Sequence, residues 1–219
     1  ITFPVIFFLL TTDHAGLSAT SSSGLAVSFA TNGGPGVISG GTNLSFNGAG
    51  AVSIVASQAG DGNYTAAPDV TNTFAVTKAV AGVTLTNLSQ TYNGAPRVVT
   101  ATTVPGGLTV DVTYNGSGTA PSAAGSYTVT GVVNEAMYQG SQTGTLAVAK
   151  AAAGVYLSNL SQVYDGSAKS VTATSAPAGL TITFTYDGHA WAPTNAGSYA
   201  VTGAVLDANY QGSAVDALI

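Results

Sequence analysis

No cysteine occurs anywhere in the sequence, which excludes a disulfide framework and every thiolate-ligated metal site. Each folding unit must therefore do without the roughly 2–4 kcal/mol that a bridge can contribute. Charge is nearly as scarce: 6% of the residues are Asp, Glu, Lys or Arg, against roughly a quarter in an average soluble chain. The surface has to be built from Gly, Ser, Thr, Asn and Gln, which keeps it wet but gives copies of the chain little mutual repulsion. The bases Lys78, Arg97, Lys150 and Lys169 are scattered, so no basic patch is available to neutralise phosphates and nucleic acid is not an expected partner. Long apolar runs are missing too. Ile1–Leu10 is nearly all apolar, yet a spanning helix needs about 20 such residues, so membrane insertion is not expected. The run also lacks the basic start and small-residue cleavage site of a signal peptide. It reads as an edge strand or extended arm, and the chain reads as a piece of something longer.

What is present is a repeat. Lys78-Ala79 recurs as Lys150-Ala151, an offset of 72 residues that holds without a gap to the end. Asn87-Leu88-Ser89-Gln90 returns as Asn159-Leu160-Ser161-Gln162, and Val99-Thr100-Ala101-Thr102 as Val171-Thr172-Ala173-Thr174. Ala124-Gly125-Ser126-Tyr127 returns as Ala196-Gly197-Ser198-Tyr199. More than half of the aligned positions are identical, far beyond chance. The first third is a distant copy, in which Leu17-Ser18-Ala19-Thr20 stands for Val99–Thr102 and Asp61-Gly62-Asn63-Tyr64 echoes Asp207-Ala208-Asn209-Tyr210.

Inside each copy the pattern has period two. Leu108-Thr109-Val110-Asp111-Val112-Thr113-Tyr114 and Leu180-Thr181-Ile182-Thr183-Phe184-Thr185-Tyr186 alternate apolar with polar residues, which puts one set on a buried face and Thr on the wet face of a strand. Asn93-Gly94, Asn115-Gly116, Asp165-Gly166 and Asp187-Gly188 supply the positive-φ residues of tight turns. No window has helical periodicity. The expectation is an all-β chain of β-sandwich repeats with boundaries at 1–77, 78–149 and 150–219.

The run Gln90-Thr91-Tyr92-Asn93-Gly94, followed by Val99–Thr102 and Ala124–Tyr127, resembles bacterial immunoglobulin-like repeats of the MBG type. The first repeat, with Ala19-Thr20-Ser21-Ser22-Ser23-Gly24-Leu25 and Val27-Ser28-Phe29, resembles a sister type found beside them. The resemblance implies three tandem immunoglobulin-like β-sandwich repeats in a rod. It also implies an extracellular or cell-surface location in a large bacterial protein, where such repeats act as spacers.

Candidate functional residues are few. His14 and His189 are the only imidazoles and neither recurs in the repeat, so no nucleophile–base–orienter set is expected and the chain reads as non-catalytic. Asp13, Asp61, Asp69 and Asp207 are the oxygen donors a calcium ion would use, but no segment carries the closely spaced acids of a loop site. Calcium stays an alternative, and no cofactor is expected. Lys78, Lys150 and Glu135 raise the possibility of an isopeptide cross-link, against the plainer reading of linker lysines in water. The recurring Tyr64, Tyr138 and Tyr210 read as aromatic plugs at hairpin corners, with hydroxyls tied to backbone. The sequons at Asn87 and Asn159 recur with the fold. His189 and Trp191, in Asp187-Gly188-His189-Ala190-Trp191, are the most individual loop of the third repeat and the candidate contact surface.

Three functions follow. The first is a stalk or extension module of an adhesin-like surface protein, its partners being neighbouring repeats. In the second, the chain is a fibre subunit whose apolar arm, with Ile1, Phe3, Val5, Phe7 and Leu9 on its donating strand, pairs with the open edge of another copy. The third is a ligand-binding accessory of a secreted enzyme, using Trp191 with Tyr186 or His189.

Overall fold

Alternation of apolar and polar side chains produces strands and nothing else: in the computed structural model, which describes residues 1–7 and 9–219, no helix occurs among the described residues. The chain divides into two compact units, and the division passes through the middle repeat. The first unit comprises Ile1–Leu85, Ala101–Val112 and Gly131–Gln142; the second comprises Thr86–Thr100, Thr113–Thr130 and Thr143–Ile219.

In the first unit, a four-stranded sheet runs in the order Leu9–Leu10, Ala67–Thr77, Gly50–Gln58, Ser28–Gly33, and faces a three-stranded sheet of Ala15–Gly16, Asn43–Phe46 and Gly36–Ser39. Strict alternation sends Val52, Ile54 and Ala56 inward from one strand, where they meet Leu44 and Phe46 from the other sheet and Phe74 and Val76 from the neighbouring strand. Burial of each large aliphatic side chain contributes about 1.5–3 kcal/mol, which is how the unit manages without a cross-link. Buried Gln58 is not orphaned, since its Oε1 accepts the Ala67 N–H at 3.3 Å.

In the second unit, the third repeat pairs Gly154–Ser158 with Thr172–Ala176 in one sheet, and Tyr199–Val205 with both Ile182–Tyr186 and Ser213–Leu218 in the other, all antiparallel. Val171, Tyr186, Val201 and Leu218 form its core, with Leu157, Leu160 and Phe184 packed against them. Gly203 lets the two sheets close, because a Cβ there would lie 2.8 Å from Leu157 Cδ2 of the facing sheet.

The Asn-Leu-Ser-Gln motif recurs because it makes a self-contained polar staple. Asn87 and Asn159 sit in the left-handed region, at φ 62° and 59°, which Asn tolerates better than most residues. Their side-chain amides donate to the carbonyls of Val98 and Ser170, each at 3.1 Å. Gln90 Nε2 then donates to the carbonyls of Asn87 and Val98, and Gln162 Nε2 to those of Asn159 and Ser170. One residue beyond each staple the chain turns inward at Val99 and Val171, whose buried N–H groups donate to the hydroxyls of Tyr114 (2.9 Å) and Tyr186 (3.1 Å). Further hydroxyl ties to backbone are those of Tyr127 to the Ala123 carbonyl and Tyr199 to the Asn195 carbonyl. These ties therefore fall on tyrosines other than the corner residues singled out from the sequence.

A buried N–H left without a partner costs about 1–3 kcal/mol. Tyr186→Phe, which removes only the acceptor from Val171, is expected to lower the stability of the third repeat by that amount in urea unfolding. An unchanged midpoint would show that water replaces the hydroxyl.

Candidate contact surfaces

The loop that carries His189 is a two-residue hairpin. Asp187 and Gly188 both have positive φ, 48° and 82°, as a type I′ turn demands. Tyr186 and His189 exchange backbone bonds of 2.7 and 2.8 Å across it. Asp187 Oδ1 accepts the Ala200 N–H at 2.8 Å and anchors the turn to the neighbouring strand. The second repeat has the same turn, with Asn115 and Gly116 at φ 48° and 84°, but Ser117 and Thr119 where the third has His189 and Trp191. The backbone is common and only the side chains differ.

His189 and Trp191 stack with ring centroids 4.4 Å apart and planes 19° from parallel, and Trp191 is 69% exposed. With Asp187, Pro193, Asn195 and Tyr199 they line a shallow hollow of about 280 Å³. Of the two partners considered for Trp191, the structure supplies His189. Tyr186 also touches the hollow, but it is 5% exposed and its hydroxyl is taken by Val171.

The arm at residues 1–10 has a different phase from the one its composition suggests. Thr2 bridges Thr20, Asn72 Nδ2 holds the Pro4 carbonyl at 2.8 Å, and Leu9–Leu10 runs parallel to Val76–Thr77. Phe3, Ile6 and Leu9 pack against the first core and Ile1 is half-buried, while Val5 and Phe7 face solvent. The five residues of the donating strand are thus divided between core and surface. Phe7 and Ile6 border a hollow of about 300 Å³ with Thr73, Phe74 and Ala75.

The acids serve loops. Asp61 Oδ1 accepts the N–H groups of Asn63 and Tyr64 at 2.8 and 2.9 Å, and Asp207 Oδ1 those of Asn209 and Tyr210 at 2.7 and 2.9 Å. Asp13 accepts the Leu10 N–H. Among the described residues no group of three or more His, Cys, Asp or Glu is gathered as a metal site would need. Lys78 and Lys150 are engaged by the protein: each Nζ donates at 2.6 Å to a main-chain carbonyl 57 residues on, that of Glu135 and of Asp207. The Glu135 carboxylate instead accepts the Thr109 N–H at 2.8 Å, which holds its pKa below the ordinary glutamate value, with nearby Lys78 acting in the same direction. Asp165 is held well below the usual carboxylate range by Lys169, 2.6 Å away, and by Ser167.

The most regular surfaces are at the seams, where the opening residues of the second and third repeats pair with a strand of their own repeat. Ala79–Val80 pairs in parallel with Tyr138–Gln139, and Ala151–Ala152 with Tyr210–Gln211. Ala79 and Ala81 donate to the carbonyls of Met137 and Gln139, as Ala151 and Ala153 do to those of Asn209 and Gln211. The glycine that ends Tyr-Gln-Gly is required by this approach: a Cβ on Gly140 would lie 2.2 Å from the Ala81 carbonyl oxygen, and one on Gly212 2.0 Å from that of Ala153. Sequence reasoning missed this role, although the invariant spacing of Gly after Tyr-Gln was its visible trace. At the first seam, buried Thr11 accepts the Ala79 N–H and donates its hydroxyl to the Met137 carbonyl. At the second, Asn209 Oδ1 accepts the Ala124 N–H at 2.8 Å, and the Tyr210 ring meets Tyr92 edge-on at 5.3 Å.

Gly212→Ala forces a backbone carbonyl aside, and overpacking of this kind costs typically 1–3 kcal/mol. The variant is expected to lose about that much stability and to shift the amide resonances of Ala151–Ala153; native shifts and stability would show that the seam yields freely. A second expectation concerns acid. Because Glu135 is lowered in the folded chain, its contribution is present above the unfolded value and is lost as pH falls through the folded one. A carbon-detected NMR titration should place its midpoint below that of an unfolded-chain glutamate, and a midpoint at or above it would break the assignment to Thr109.

A family profile described as the MBG domain matches residues 81–152 and again 153–219, more than half of the chain. No curated protein matches it. Among solved structures, Sidekick-1 immunoglobulin domains 1–4 align over 99% of this chain and 74% of their own, at 12% identity and a TM-score of 0.28. Drosophila N-cadherin EC1-4 aligns over 98% and 73%, at 11% and 0.29. The Bacteroides ovatus mixed-linkage glucan utilization locus protein SGBP-B, in complex with a mixed-linkage heptasaccharide, aligns over 97% and 66%, at 11% and 0.27. Scores at this level carry no argument about fold, partner or ligand. The kinship rests on the two matched copies, which lie in the register of the internal repeat: the chain belongs to the MBG domain family.

Proposed function

We propose that the chain is a structural extension module of a large secreted or cell-surface bacterial protein, adhesin-like in setting and non-catalytic, with residues 1–77, 78–149 and 150–219 as its successive repeats. The observation that carries this reading is the shortness of each junction: only Lys78 stands between strand Ala67–Thr77 and strand Ala79–Val80, and only Lys150 between Ser141–Ala149 and Ala151–Ala152. The first residues of each following repeat, Ala79–Ala81 and Ala151–Ala153, are at once hydrogen-bonded to the Tyr-Gln strand of their own repeat. A linker bound in this way cannot act as a free tether of the Gly/Ser kind, and the device is spent twice at equivalent places. A spacer needs that property, whereas a chemical site needs a constellation that one repeat has and the others lack.

One such individual feature exists. The exposed His189–Trp191 stack gives the third repeat a flat aromatic surface beside a hollow, and it supports a second reading in which this hairpin tip makes a contact of its own. The two readings part in a replacement experiment. With the chain placed between a surface anchor and a reporter adhesin, exchange of residues 78–219 for unrelated immunoglobulin-like domains of equal length is expected to leave adhesion unchanged, while deletion of the same residues reduces it. Adhesion that falls on exchange, and falls equally with Trp191→Ala alone, would replace the spacer reading with the contact reading.

A further inference from the structure

Departures of the third repeat from the second gather around one hollow of about 280 Å³. Asp187, His189, Trp191 and Asn195 stand there in place of Asn115, Ser117, Thr119 and Ala123. Beneath them Tyr186, Pro193 and Tyr199 keep the identities of Tyr114, Pro121 and Tyr127. The scaffold is retained and its outer side chains are changed. A following repeat leaves such a hollow open. The third repeat touches the second through Asn209 and Ala124, yet Asn115, Ser117, Thr119, Ser122 and Ala123 remain exposed beside that contact. The exposure of Trp191 is therefore a property of the hairpin.

The chemistry of the hollow selects its occupant. His189 covers one face of the indole at 4.4 Å and 19° from parallel, which steadies the ring. With Trp191 69% exposed, the other face is left as a flat apolar platform. A single wall seats a cation poorly, since cations are best held by a cage of aromatic faces. Among the described residues no Lys or Arg lines the hollow, so phosphate, sulfate and carboxylate groups find no partner there. A peptide strand finds no edge to extend, because Tyr186 and His189 spend their main-chain groups on each other. What remains beside the platform is hydrogen-bonding capacity of both signs. Asp187 spends Oδ1 on the Ala200 N–H and keeps Oδ2 unengaged. The Asn195 side-chain amide and the Thr194 hydroxyl have no partner among the described residues, while the Asn195 carbonyl is held by the Tyr199 hydroxyl.

We infer that this hollow binds a neutral pyranose, its C–H face laid on Trp191 and its hydroxyls on Asn195 and Asp187. The inference rests on the second reading above, for which it names the ligand class. A pyranose with equatorial hydroxyls has slightly positive C–H groups on its faces and a polar rim. The first suit the negative face of the indole, and the second suits an amide that donates and a carboxylate that accepts. Asp187 disfavours acidic sugars. One shallow subsite holds such a ring weakly, with Kd about millimolar, and so weak a contact leaves the extension role intact.

Trp191 is the sole tryptophan, so indole fluorescence reports this hollow alone. Titration of the full chain with methyl β-glucoside, methyl β-galactoside and methyl α-mannoside should give, for at least one, a saturable change with a midpoint at about millimolar concentration. The ¹⁵N-labelled chain should show matching shifts at the Trp191 indole N–H and the Asn195 side-chain amide. Asn195→Ala should weaken binding about tenfold, and His189→Ser combined with Trp191→Thr should abolish the Asn195 shifts. Each of these substitutions installs the residue that the second repeat already carries at that place, and native circular dichroism checks the fold. No saturable change with any of the three glycosides would overturn the inference. So would binding that survives the double variant, or tetramethylammonium that binds more tightly than every glycoside. Failure of the contact reading is distinguishable: adhesion lost with Trp191→Ala, in a chain that binds no glycoside, removes the sugar and leaves that reading standing.

Discussion

Main-chain hydrogen bonding between the opening residues of a repeat and the Tyr-Gln-Gly strand of the same repeat is the constraint on which the rest of the structure depends. It fixes where one repeat ends and the next begins, because Ala79 and Ala151 start their repeats already paired. The glycines at 140 and 212 follow from it, since any Cβ would strike the linker carbonyl. Lys78 and Lys150 have their place from it too, since each lysine reaches the carbonyl at the start of the loop that leads into the paired strand. In a chain with so few charges and no disulfide, such bonds are the available means of tying the start of a module firmly to its body, and each backbone pair contributes about 0.5–1.5 kcal/mol net.

The same economy operates inside the repeats. Polar side chains are spent on backbone groups that the strand ladders leave unpaired: Asn87 and Gln90 on the Val98 carbonyl, Tyr114 on the Val99 N–H, and their counterparts in the third repeat. Among the described residues no buried side-chain nitrogen or oxygen is left without a partner. Amides and hydroxyls thus do in these repeats the structural work that ion pairs share elsewhere, and the single ion pair among the described residues, Lys169 with Asp165, is local to one loop. The acids Asp61 and Asp207 fold into this scheme as loop holders rather than as ligands for a cation.

Much of the fold was legible because it is written locally. Period two gave the strands at Val110–Tyr114 and Ile182–Tyr186, and Asn-Gly and Asp-Gly gave the turns at 115–116 and 187–188. The internal repeat gave the register that the two family matches follow. Other features depend on partners distant in sequence. In the arm, Pro4 carries no N–H to donate and the inward positions fall at Phe3, Ile6 and Leu9, a spacing that alternation cannot foresee. Which tyrosine hydroxyl meets backbone was hidden for the same reason: Tyr114 and Tyr186 find an N–H 15 residues away. The contact loop was partly legible. His189 and Trp191 stood out as the residues that break the repeat, but their stacking, and the withdrawal of Tyr186 into the core, follow from the type I′ turn and from packing.

The central claim is that the linkers are strands, and backbone ¹⁵N relaxation at Ala79, Ala81, Ala151 and Ala153 in the full chain tests it most directly. Order parameters equal to those of the core strand residues Val52 and Val201, near the rigid-backbone value of about 0.85, are the predicted result. Values below about 0.6, the range of flexible segments, would contradict it and would leave the repeats as beads on a loose tether.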